Sequence, residues 1–119
     1  MEITIHEQNG VIIRQFSGEV HFDDIMESWT QLLSNYSNLE DYKGIVTNFL
    51  DARITHEDHN LNVLVDFLKG HLEKLKDLKI AIVMDTPMVT NTLIVGQRVK
   101  FLQIKPFSTE EAALKWIIV

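Results

Sequence analysis

At 119 residues, with no cysteine, two prolines and 45% hydrophobic residues, the chain is the size of about one domain, needs no disulfide or metal staple, and has neither a thiol nucleophile nor a cysteine-ligated zinc. Its formal net charge of −6 argues against nucleic acid, whose binders cluster Lys and Arg; the densest basic stretch, residues 69–79, is broken by Glu73 and Asp77. No basic-then-apolar leader opens the sequence and no apolar run nears the roughly 20 residues that span a bilayer, so a cytoplasmic protein with no membrane contact is expected.

Residues 1–7 and 11–16 flank Asn9-Gly10, a pair that supplies the positive φ angles of a tight hairpin turn. Two antiparallel strands are predicted. Phe22, Ile25, Met26, Trp29, Leu32, Leu33 and Tyr36 then recur at spacings of three and four, which is one apolar helix face; Asp23 and Asp24 suit its positive N-terminal end. Residues 44–50, opened by Gly44 and closed by Asp51, read as a buried strand. A second helix is predicted over 58–76, with Leu61, Leu64, Val65, Leu68, Leu72 and Leu75 inward and Gly70 interrupting it. Residues 78–84 form another buried strand. Pro87 starts a third, weakly patterned helix over 88–97, which Gly96 would end. Residues 99–104 make the last strand, stopped by Pro106. Ser108 and Glu111 fit a capping box for a final helix carrying Ala112, Ala113, Trp116 and Ile117. The order is β-β-α-β-α-β-α-β-α: an α/β domain over residues 1–119 with a mixed five-stranded sheet and four helices.

Polar residues collect after the central strand. Asp51, Thr55, Asp58, His59 and Asn60 occupy the connection to the second helix, and partners tend to bind beyond the carboxyl ends of strands. A structural role is the alternative: Asp51 closes a strand and Asp58 caps a helix. His56 and His59 could share a helix face and hold a metal. Neighbouring Glu57 and Asp58 are equally what a helix N-terminus favours, and His71 lies three turns too far to be a third ligand. No metal or other cofactor is expected. On the third helix, Val89, Leu93 and Met88 can share one stripe while Ile94 and Val95 spread away from it, so a homodimer or partner interface involving Met88, Ile94 or Val95 is expected. There is no nucleophile elbow, phosphate loop or dinucleotide fingerprint, so no enzyme is expected.

Four segments resemble the STAS superfamily, and the SpoIIAA-like bacterial family in particular: Gly18-Glu19-Val20-His21-Phe22-Asp23-Asp24-Ile25, the strand from Ile45 ending in Asp51-Ala52-Arg53, Ala81-Ile82-Val83-Met84-Asp85, and Phe107-Ser108-Thr109-Glu110-Glu111-Ala112-Ala113-Leu114-Lys115-Trp116-Ile117. The resemblance covers nearly the whole chain. It implies a STAS-like fold and a non-catalytic protein-interaction or regulatory module with an unknown protein partner. Anti-sigma antagonists of this fold carry a phosphorylatable Ser after an Asp at the start of the second helix. Counting from Asp51, that pair falls at His59-Asn60, and no Ser lies between Ser37 and Ser108; Thr55 is the hydroxyl in the loop. The fold is also similar to lipid-binding CRAL-TRIO domains, so an apolar-ligand carrier is the alternative, with a metal-dependent hydrolase using His56 and His59 as a third reading.

Overall fold

A computed structural model describes residues 1–55, 61–85, 89–100 and 102–119. Asn9 and Gly10 take φ of 53° and 79°, the left-handed pair that a two-residue hairpin needs. They join β1 (Glu2–Gln8) to β2 (Val11–Val20) with Gln8 opposite Val11. Helix α1 (Phe22–Asn35) follows, and its start is secured by the His21 backbone N–H donating to Asp24 Oδ2 at 2.9 Å. A short 3-10 turn, Leu39–Asp41, leads to β3 (Gly44–Ile54). Then come α2 (Leu61–Gly70), α3 (Leu72–Leu75), β4 (Lys79–Val83), α4 (Val89–Arg98), β5 (Gln103–Phe107) and α5 (Glu110–Ile118). The strands lie in the order β1-β2-β3-β4-β5; β1 is antiparallel to β2, and the other neighbours are parallel.

Alternation along the strands divides the core between two faces. On one, Ile12, Ile45 and Ile80 pack with Trp29, Leu32 and Leu33 of α1, Val65 and Leu68 of α2, Leu75 of α3 and Val95 of α4. On the other, Val11, Ile13, Val46, Ala81 and Val83 pack with Ala113 and Ile117 of α5. Gly44 lets this second layer close: a Cβ there would stand 2.3 Å from the Lys79 carbonyl oxygen and 2.8 Å from Ile117 Cγ2.

The α/β order holds, with differences in detail. The expected second helix breaks at Gly70, and His71, the residue before α3, takes φ −116° and ψ 22°, so five α-helices replace four among the described residues. Gly96 does not end α4. A Cβ at that position would make ordinary van der Waals contact with the Ile104 carbonyl oxygen, at 3.5 Å, and the helix runs on to Arg98. Val99 and Leu102 consequently fill the core beside α4 rather than opening a strand. β5 forms later and contains Pro106, opposite Ile82; an edge strand has no outer partner for the missing N–H to lose. α5 is capped by Thr109, whose Oγ1 accepts from the Ala112 N–H at 3.2 Å, not by Ser108. The extended Phe107, whose carbonyl accepts from the Met84 N–H at 3.0 Å, delays the turn by one residue. β2 and β3 both run further than expected, to Val20 and Ile54.

Candidate functional site at the ends of the central strands

The extra length of β2 and β3 builds the site. β4 pairs with β3 only as far as Val83 opposite Asn48. Beyond that point β3 runs on to Ile54 with β2 alone pairing it among the described residues. Asn48 manages the change. Its Oδ1 accepts from the Leu50 N–H at 2.9 Å, while its Nδ2 donates to Glu110 Oε2, at the start of α5, at 2.9 Å. The side chain thus occupies the first β3 amide beyond the end of β4 and ties it to a helix.

A bulge then re-aims the strand. Gln15 pairs with Asn48 but Ser17 pairs with Asp51, so two β3 residues face one on β2. The shift brings Asp51 to the face that carries Gln15, where Gln15 Nε2 donates to Asp51 Oδ2 at 2.8 Å. Glu19 and Arg53, paired in register, continue that face, with Arg53 Nη2 3.7 Å from Glu19 Oε2. The opposite face of the same ribbon is apolar. Phe16, Val20 and Phe49 pack with Met84, Ile25, Ala52 and Ile54, and the Phe16 and Phe49 rings stack at 5.0 Å. Gly18, Glu19, Leu50, Asp51, Ala52 and Arg53 line an open groove of about 390 Å³. Leu50 is 48% exposed in it.

Under the ribbon lies a buried cation. Arg14 shares a strand face with Ile12 and Phe16 and faces α1. Its Nη1 donates to Ser28 Oγ at 2.9 Å and its Nη2 to Thr47 Oγ1. The guanidinium sits 4.4 Å from the centre of the Trp29 ring, and among the described residues Nε has no hydrogen-bond partner. Burial pushes its pKa down to about 9, which leaves it charged at neutral pH. Two hydroxyls and an indole face serve it where a carboxylate is usual.

Of the residues expected to meet a partner, Asp51 and Thr55 are described. Asp51 is exposed and belongs to β3 itself; it does not close the strand. Thr55 is half-buried at the end of β3, its N–H donating to the Val20 carbonyl at 2.9 Å and its hydroxyl 3.1 Å from His21 Nδ1. Asp58, His59 and Asn60, like His56, lie outside the described residues. So does Met88 of the expected interface, while Ile94 belongs to α4. Val95 requires a correction: it is 5% exposed and packs in the core, whereas Leu93 is 51% exposed. The helix is rotated from the expected stripe because Val95 and Val99, one turn apart, both turn inward. His71 Nδ1 lies 2.9 Å from the Phe67 carbonyl oxygen. Among the described residues no three His, Asp or Glu side chains gather as a metal site, and no helix is long and apolar enough to cross a membrane. Arg14, Gln15, Glu19, Leu50 and Arg53 were not expected at the site. The available signal was Arg14 itself, a charge at a core-facing position within Val-Ile-Ile-Arg-Gln-Phe.

The order of strands, the helix layers and the terminal helix define an α/β protein of one recognisable family. The SpoIIAA-like family profile matches residues 11–118, and the chain belongs to that family. Solved structures share its fold. The anti-sigma factor antagonist SpoIIAA in its unphosphorylated form is 13% identical with a TM-score of 0.62, over 98% of each chain. An anti-sigma factor antagonist from Mycobacterium paratuberculosis is 16% identical with a TM-score of 0.62, over 99% of this chain and 94% of that one. An uncharacterized Shewanella loihica protein with a SpoIIAA-like fold is 17% identical with a TM-score of 0.60, over 98% of this chain and 92% of that one. No curated protein matches the sequence.

Proposed function

We propose that the chain is a non-catalytic, cytoplasmic interaction module that docks a protein on the polar face of the β2–β3 ribbon and the loop after it. One observation carries this reading: the ribbon outruns the sheet and presents an exposed leucine, Leu50, among Glu19, Asp51 and Arg53. An apolar anchor within a charged rim is the make-up of a protein-binding surface. A lipid-like ligand would instead need an enclosed apolar cavity, and the groove is open and charged. The names of the solved neighbours suggest an anti-sigma factor as the class of partner. Asp58, His59 and Asn60 belong to the same surface in this reading, and Asn60 standing where a Ser is expected makes the module independent of a phosphoserine switch there.

The test is titration of anti-sigma factors from the same cell against wild type, Leu50→Glu and Arg53→Glu. Tight binding by wild type and at least about tenfold weaker binding by both folded variants supports the site. Binding that neither variant weakens moves the site elsewhere. A wild type that binds no anti-sigma factor removes that class of partner.

A further inference from the structure

β1 forms one edge of the sheet. It is regular over its seven residues, Glu-Ile-Thr-Ile-His-Glu-Gln, with no proline, lysine or bulge. Such an edge is a template for another strand, and sheet proteins usually blunt it. The turn determines which groups face outward. Gln8 and Val11 flank a two-residue loop and so exchange both backbone hydrogen bonds, and pairing alternates from there. Gln8, His6, Thr4 and Glu2 therefore bond inward to β2. Glu7, Ile5 and Ile3 turn their N–H and C=O groups outward. The far end of the strand is anchored, because Glu7 Oε1 accepts from the Tyr42 hydroxyl at 2.7 Å.

We propose that β1 pairs antiparallel with β1 of a second copy of this chain, about a two-fold axis at Thr4, joining two five-stranded sheets into one continuous sheet. In that register Ile3 of each copy lies opposite Ile5 of the other, in the hydrogen-bonded positions that both present outward. Glu2 lies opposite His6 in the non-hydrogen-bonded positions, where side chains approach most closely. An imidazole donor meets a carboxylate acceptor twice, and Thr4 meets Thr4. Neighbouring registers with the same outward groups are poorer. An axis at Ile5 sets Glu7 against Ile3 and Glu2 against Gln8; an axis at Ile3 sets Glu2 against Thr4 and leaves His6 unmatched. The pairing also covers Ile5, which is 40% exposed. This edge is distinct from the β2–β3 ribbon, so the two surfaces can be occupied together.

The register is testable because the chain has no cysteine of its own. Facing non-hydrogen-bonded residues have Cα atoms about 4.5 Å apart, within disulfide range. Thr4→Cys should form a covalent dimer under mild oxidation. His6→Cys, which would face Glu2, should stay uncross-linked under the same conditions. Ile5→Pro removes an outward N–H and no hairpin bond, so it should weaken self-association by at least about tenfold while keeping the hairpin; Ile5→Lys should do the same if the proline variant fails to fold. Leu93→Glu on α4 should leave the dimer intact. A wild type at monomer mass in sedimentation equilibrium at millimolar concentration overturns the proposal. So does equal cross-linking through positions 4 and 6, or a dimer lost with Leu93→Glu and kept with the variants at position 5.

Discussion

The lower and upper parts of the central strand pair are built on opposite terms. Over residues 11–16 and 44–49, β2 and β3 lie between α1, α2 and α4 on one side and α5 on the other, and all but Gln15 are buried. Over residues 17–20 and 50–54 the same strands keep an apolar layer on the α1 side alone, and Gly18, Glu19, Leu50, Asp51 and Arg53 are exposed. In the proposed reading one pair of strands supplies both a platform and what it presents. A substitution in the lower part should change stability, and one in the upper part should change what the protein binds.

The largest effect should come from the platform. Leu68 is 2% exposed in the core beneath α2, and Leu68→Ala should cost about 2–5 kcal/mol in urea unfolding. Gly44→Ala comes next. The added methyl meets the Lys79 carbonyl and Ile117 at distances real Cβ atoms do not adopt, so β4 or α5 must shift, at about 1–3 kcal/mol. A Gly44→Ala protein as stable as wild type would mean that α5 is loosely seated.

Arg14 sharpens the contrast from inside the platform. It is 1% exposed and, among the described residues, carries its charge without a carboxylate. Arg14→Met keeps much of the volume and removes the buried charge, while Ser28 and Thr47 lose a donor. These effects oppose each other, and the net change should lie within about 1 kcal/mol of zero. A loss well above that, seen as a lowered urea midpoint, would make the guanidinium the tie between α1 and the central strands.

What could be read from the sequence follows the same division. The hairpin was legible because Asn9-Gly10 admits few other turns, and the strands at 44–50 and 78–84 because their apolar runs are bounded by glycine and acidic residues. The ribbon was not. Gly18-Glu19 and Asp51-Ala52-Arg53 carry the small and charged residues that also mark turns, and what makes them strands is their pairing with each other across the fold. The last strand was misplaced because Val99 and Leu102 have strand-like side chains that α4 and its following turn take into the core. Asp51 was singled out from its position after an apolar run. Its link to Gln15 depends on a bulge that no local pattern announces, and the solvent-facing side of the ribbon was invisible for the same reason.

The smallest expected effect on stability is the sharpest test of the comparison. Arg53 and Glu19 form an ion pair at 3.7 Å with both side chains more than half exposed. Water screens such a pair and both side chains lose rotamer freedom in making it, so its net contribution is slight. Arg53→Ala should therefore unfold within about 0.5 kcal/mol of wild type. Leu50→Ser should do likewise, since nearly half of Leu50 already faces solvent. If the upper part serves presentation, both variants should keep the wild-type urea midpoint and lose the protein partner. Circular dichroism under urea and binding by calorimetry, run on the same samples, separate the two properties. An Arg53→Ala protein that loses several kcal/mol would show that the ribbon holds the fold together, and the division between platform and presented surface would fall.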